Sequence, residues 1–198
     1  MKKMFLKSIS AILCIIVVIS LASCGANEAA GEDPAPETTG VSTEDGTSDT
    51  GKKVYFAAPL FSQGEKDYNL KLTKVLEDYG YQVFLPQRDG FLAPELEGKT
   101  EEEIMRMIFE KDLSEVLKAD IVFMVLDGRV PDEGACVELG IAYANGKRCY
   151  GVKTDARSVE INLDLNPMIS GCFIELFEEY DGDKLIEELE QYLSENEL

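Results

Sequence analysis

The sequence predicts a single α/β domain over residues 52–198, built on a doubly wound parallel sheet of about five strands. Short, nearly unbroken apolar runs such as residues 121–126, IVFMVL, read as strands buried on both faces. Stretches with helical apolar spacing separate these runs, so strand and helix alternate from residue 52 onward. The connections between successive strands are long enough for right-handed crossovers. A stretch of this length is typical of one domain and can bury a sizeable core.

Taken in order, residues 52–60, KKVYFAAPL, are a first strand running into a loop, stopped by Pro59. Ser62 caps a helix reaching Tyr79, with Tyr68, Leu72, Val75, Leu76 and Tyr79 on its apolar face and Gly80 ending it. Residues 81–85 are a second strand. Residues 86–100, PQRDGFLAPELEGKT, carry Gly, Pro and charge and read as a long loop past a strand's C-terminal end. A lid or substrate contact and a plain surface connection are both open there.

Thr100 starts a capping box with Glu103. The helix it opens runs to Lys118, with Ile104, Ile108, Leu113 and Val116 as its inner stripe and Asp112 near its end. Residues 119–126 are the third strand. The helix that follows stops at Asn145-Gly146, and residues 147–153 are the fourth strand. Residues 154–170 are irregular and hold Asn166-Pro167-Met168. Residues 172–176 are a short fifth strand. Residues 183–196 close the domain as an acidic amphipathic helix with Leu185, Ile186, Leu189 and Leu193 inward.

Ahead of the domain, Lys2, Lys3 and Lys7 precede an apolar run over residues 9–21 and then Leu21-Ala22-Ser23-Cys24. A basic segment, a short apolar segment and a small-residue cleavage site make residues 1–23 a secretory signal. Leu21-Ala22-Ser23-Cys24 resembles the lipobox of bacterial lipoproteins. That resemblance implies cleavage before Cys24, a lipid on its sulfur and new amino terminus, and an exported protein anchored to the cell membrane. Residues 24–51 hold acids, Gly, Pro, Ser, Thr and Ala but no base, and one Val as their only large aliphatic residue. Such a segment cannot bury enough apolar surface to offset its ordering entropy and reads as a flexible acidic linker.

The formal net charge is −19, and losing Lys2, Lys3 and Lys7 with the signal makes it more negative. A chain this acidic is a poor ligand for nucleic acid phosphates, and its charge argues against a basic membrane-docking face and mainly favours solubility. The domain keeps Cys136, Cys149 and Cys172, with no CxxC, and the chain has no histidine. A Cys/His zinc site and Ser-His or Cys-His catalysis within one subunit are thereby excluded. One disulfide and buried free thiols are both open. No GxGxxG follows the first strand and no GxxxxGK[ST] occurs, so dinucleotide and Walker-type sites lack their signature. Neither a cofactor nor a metal is expected.

The stretch PDEGACVELG, residues 131–140, follows the third strand and so falls at the C-terminal edge of the sheet, where ligands bind in open α/β folds. Asp132 and Glu138 bracket Gly134. If the helix begins near Glu133 or Gly134, Glu138 lies in its first turn or just beyond, where the helix dipole favours an ionised carboxylate. Spacing alone leaves open a plainer reading, with Asp132 as a helix cap and Glu138 as a solvated helix residue.

Four blocks in order, VYFAAPLF, FEKDLSEVLKADIVFMVLDG, DEGACVELGIAYANGK and NPMI, resemble the nucleoside 2-deoxyribosyltransferases. The resemblance implies a flavodoxin-like fold, a homo-oligomer with active sites shared between subunits, and transfer of deoxyribose between nucleobases through a covalent sugar–enzyme intermediate. It matches Glu138 to the nucleophile, Tyr55 to the tyrosine that orients it, and Asp112 and Asp132 to two aspartates near base and sugar, one of which protonates the leaving base. Asn166 and Met168 match a pair lent by a neighbouring subunit, and Phe61, Gln87 and Arg88 are candidate base or loop contacts. A retaining N-glycosyl transfer needs an attacking carboxylate and an acid. Without histidine, carboxyl groups and tyrosine phenols must supply them, with burial raising the pKa of the acid. Hydrolysis of nucleosides or their 5′-monophosphates, and nucleoside capture without chemistry, are the competing functions.

Overall fold

The computed structural model describes residues 49–157 and 165–198. The signal segment, Cys24 and nearly all of the linker lie outside the described residues.

Five strands form one sheet in the order β2-β1-β3-β4-β5. They are β1 (Lys53–Ala57), β2 (Gln82–Phe84), β3 (Ile121–Val125), β4 (Arg148–Lys153) and β5 (Glu175–Glu178). Every neighbouring pair is parallel, with Tyr55 beside Phe84 on one side and Val122 on the other. β3 is buried at all five positions, as its unbroken apolar run requires for a central strand covered on both faces.

Alternating strand residues feed two cores. Val54, Phe56, Ile121, Phe123, Val125, Tyr150 and Val152 pack against α1 (Gln63–Asp78) and α7 (Gly182–Glu195). Tyr55, Ala57, Val122, Met124 and Cys149 point the other way, toward α4 (Glu101–Lys118) and α5 (Glu133–Ala144). The pleat thus puts Tyr55 on the α4/α5 face.

The helix boundaries follow local chemistry. Ser62 and Glu65 form a reciprocal capping box at the start of α1, and Thr100 and Glu103 do the same for α4. Gly80 and Gly146 take positive φ just after α1 and α5, where a side chain would be strained. Leu185, Leu189 and Leu193 of α7 are buried.

Four expectations are corrected. The loop over residues 86–100 holds two short helices, α2 (Pro86–Asp89) and α3 (Ala93–Leu96), each with a proline in its first turn where a missing N–H costs nothing. The irregular stretch ending at residue 170 holds α6 (Pro167–Ser170), capped by Asn166. The fifth strand begins at Glu175, three residues later than expected, because Phe173 packs against the bare backbone of Gly151 and pairing starts only at Tyr150 with Glu175. In α4 only Val116 is fully buried; Ile108 is 42 % exposed and stands with exposed Met105 and Phe109 on an apolar outer face. Cys136, Cys149 and Cys172 are free thiols. Among the described residues no helix is long and apolar enough to cross a membrane.

Candidate active site

The C-terminal edge of β3 leads through residues 126–132 into α5. Asp127 anchors this loop: its carboxylate accepts from the backbone N–H groups of Thr154 and Asp155 and from the Thr154 hydroxyl. Asp155 in turn accepts from the Gly128 N–H at 3.2 Å. Gly128 has φ 129°, and a Cβ there would stand 2.8 Å from the Val130 carbonyl oxygen, so the loop needs glycine.

Asp132 ends the loop and caps α5, accepting from the Ala135 N–H at 2.8 Å. Its capping role is therefore real, and it also bears electrostatically on Glu138. Glu138 sits just beyond the first turn of α5. The phenol of Tyr55 donates to Glu138 Oε1 at 2.7 Å. Tyr55 is fully buried and stacked on Phe84, with ring centroids 5.7 Å apart, so the donor is held rigidly under the carboxylate.

Burial raises the Glu138 carboxyl, the Tyr55 hydrogen bond pulls it down and the charges of Asp112 and Asp132 add to the rise, so that together they leave it at about 7. Burial, then Glu138 and Asp112, hold the Tyr55 phenol far above the ordinary tyrosine range, so it stays a donor. Half-buried Asp112 is raised by desolvation, against the pull of Lys111 and with a smaller push from Glu115. Tyr55, Asp112, Asp132 and Glu138 thus form one electrostatically connected group drawn from β1, α4, the β3–α5 loop and α5.

Asp112 lines a cavity of about 360 Å³ together with Leu60, Lys66, Gln87, Phe91 and Ile108. That volume is within the range of small-ligand sites, about 300–1,000 Å³. Gln87 is held in its wall by bonds to Asn69 and to the Lys66 carbonyl. Phe61 is 76 % exposed on the loop before α1. Arg88 is not part of this cavity: it pairs with Glu77 and Asp89 and donates to the Val83 carbonyl, which consumes its guanidinium.

Asn166 and Met168 lie elsewhere. They line a separate cavity of about 620 Å³ between α5 and α6, with Cys136, Leu139, Gly140 and Tyr143. At 100° per residue these α5 positions point roughly 150° away from Glu138 around the helix axis. Within one chain the structure therefore does not bring Asn166 and Met168 to Glu138. The Asn166 side chain caps α6 by accepting from the Met168 N–H at 2.9 Å, and Met168 is 82 % exposed. Sequence reading missed Asn69 and Asp127; a buried asparagine in an apolar helix face and a carboxylate directly after a strand were the available signals.

The family model described as nucleoside 2-deoxyribosyltransferase matches residues 54–185. Among solved structures, a conserved protein from Enterococcus faecalis V583 is 27 % identical, with a TM-score of 0.56, covering 71 % of this chain and 98 % of that one. The 2-deoxyribosyltransferase of Bacillus psychrosaccharolyticus is 30 % identical, with a TM-score of 0.54, covering 67 % of this chain and 90 % of that one. A CMP N-glycosidase from Clostridium botulinum, at 17 % identity and a TM-score of 0.50, covers 71 % of this chain and 99 % of that one and shares the fold. No curated protein matches the chain.

Proposed function

Because the chain belongs to the nucleoside 2-deoxyribosyltransferase family, we propose that it transfers 2-deoxyribose between nucleobases through a covalent glutamyl–sugar intermediate on Glu138. The observation that carries this reading is the 2.7 Å bond from a buried, permanently protonated tyrosine to a carboxylate on the ligand-binding edge of the sheet. That bond aims one oxygen of Glu138 and favours its ionised form, as a nucleophile requires.

In the first half-reaction a Glu138 oxygen bonds to the anomeric carbon while the bond from that carbon to the base nitrogen breaks. Asp112, its carboxyl raised by burial, supplies the proton to the departing base. In the second half an incoming base attacks the same carbon, Glu138 leaves, and the proton returns to Asp112. Water in place of the base would give hydrolysis. Asp132 holds the start of α5, on which Glu138 is carried, and its proximity raises the proton affinity of the Glu138 carboxylate. Gln87 and Phe61 contact the base in this reading.

Asn166 and Met168 enter from a second copy of the chain and complete the sugar pocket. Their distance around α5 from Glu138 and the exposed apolar face of α4 support such a homo-oligomer. The N-terminal sequence supports export and anchoring through a lipid on Cys24. Fatty-acid labelling that persists in Cys24→Ser would overturn the anchoring.

The activity is tested by incubating the purified protein with a deoxynucleoside and a second free base, followed by chromatography. The swapped nucleoside is expected, and Glu138→Ala should abolish it while leaving the circular dichroism spectrum unchanged. Free base and sugar alone would assign hydrolysis. The catalytic reading fails if no purine or pyrimidine pair is turned over.

A further inference from the structure

The cavity wall contains a chain of hydrogen bonds whose polarity is set at both ends. Asn69 lies on the inner face of α1 and is 1 % exposed. Its Nδ2 donates to the Pro59 carbonyl at 2.8 Å and to Gln87 Oε1 at 3.0 Å. Gln87 Nε2 donates to the Lys66 carbonyl at 2.9 Å. Backbone carbonyls only accept. Pro59 therefore obliges Asn69 to present its NH₂, and that NH₂ obliges Gln87 to present its oxygen. The same orientation puts the Gln87 NH₂ on Lys66, the second carbonyl, so both ends demand the same arrangement. A flipped Gln87 would set NH₂ against NH₂ at one end and oxygen against oxygen at the other.

We infer that Asn69 is a positioning residue that selects which nucleobase edge the cavity accepts, by locking the amide of Gln87 in one orientation. This inference rests on the proposed function for its substrate class. A free glutamine amide can rotate by half a turn and pair with either order of donor and acceptor on a base. A locked amide reads one order only, through its second lone pair and its second N–H. Gln87 lines the same cavity as Asp112, so this reading occurs where the base would be protonated. Asn69 touches no substrate itself; it ties the β1–α1 loop, α1 and α2 into one rigid wall.

The test compares the wild type with Asn69→Asp, Asn69→Leu, Gln87→Leu and the double variant Asn69→Asp/Gln87→Leu. The readouts are kcat/KM for deoxynucleosides of four bases and the dissociation constants of the free bases by calorimetry. Asparagine to aspartate is isosteric but turns the donor into an acceptor, which expels the Gln87 oxygen. The ratio between the best and worst base is expected to change by about tenfold or more in Asn69→Asp. Asn69→Asp/Gln87→Leu should show the same ratio as Gln87→Leu, since Asn69 acts only through Gln87.

A merely structural asparagine would lower all four values together and leave the ratios unmoved, which would overturn the inference. If the Asn69 variants do not fold, Gln87→Leu with unaltered base ratios overturns it equally. Base binding with the expected ratios but no turnover sinks the catalytic reading alone, and absence of both binding and turnover sinks both.

Discussion

The Tyr55 phenol and the Glu138 carboxylate meet at 2.7 Å across 83 positions of sequence, one from the second residue of a strand element's buried run and one from a helix beyond the sheet edge. The pair has opposite effects on the Glu138 proton: burial favours the neutral acid, and the hydrogen bond favours the carboxylate. Their balance near neutral pH gives the site its most accessible tests.

The Glu138 carboxyl titrates near 4.5 when unperturbed and at about 7 in the folded protein. Between those values the folded state holds the proton more tightly, so stability declines as pH rises through this window. Below it both states are neutral. Replacing Glu138 by Gln should therefore leave stability unchanged at pH 4 and raise it at pH 8 by up to about 3 kcal/mol. Urea unfolding at the two pH values measures this; equal effects at both would contradict a raised carboxyl.

The nucleophile must be ionised, so kcat/KM should rise with pH and level off above about 7. Tyr55→Phe removes a bond that favours the ion and should move this limb to higher pH. Asp112→Asn removes a charge that disfavours the ion and should move the limb lower, together with a lower plateau from the lost acid. Shifts in the same direction for both variants would show that the limb belongs to another group.

Gly128→Ala should destabilise the protein by about 1–3 kcal/mol, because alanine at φ 129° is strained and its Cβ collides with the Val130 carbonyl. The same change should displace the loop that ends in Asp132 and reduce turnover in the fraction that remains folded. A thermal melt and a rate measured well below the midpoint separate the two effects.

Leu189→Ala, on the buried face of α7, should cost about 2–5 kcal/mol. Ser62→Ala removes one side of the α1 capping box and should cost about 1 kcal/mol. Chemical denaturation of the two variants would rank them, and a larger loss in Ser62→Ala would contradict this account of the core.

If neighbouring copies share sites, mixing the inactive variants Glu138→Ala and Asn166→Ala after dissociation should recover part of the activity, since some sites then combine two intact halves. Phe109→Glu, on the exposed face of α4, should weaken association as seen by sedimentation. No recovery on mixing, from an oligomer shown to exchange subunits, would place Asn166 outside the site.

Much of this fold is readable from local sequence because its causes are local. Ser62 with Glu65 and Thr100 with Glu103 specify helix starts within four residues, and Gly80 and Gly146 mark the ends. Local pattern is insufficient where a distant partner decides. The start of β5 depends on Gly151 accommodating Phe173, and the fate of Ile108 depends on what covers α4. Apolar periodicity reports that a face is apolar; it cannot report whether this chain or another covers it.

By itself the sequence determined the parallel α/β architecture, the absence of histidine chemistry and the candidacy of Tyr55, Asp112, Asp132 and Glu138. Only the tertiary structure decided which of these act on one another. It joined Tyr55 to Glu138, placed Gln87 with Asp112, took Arg88 out of the cavity, and set Asn166 on the far side of α5. The physical reason is that proton affinity and hydrogen-bond polarity depend on burial and on neighbours a few ångströms away, and in this fold those neighbours come from segments far apart in the chain.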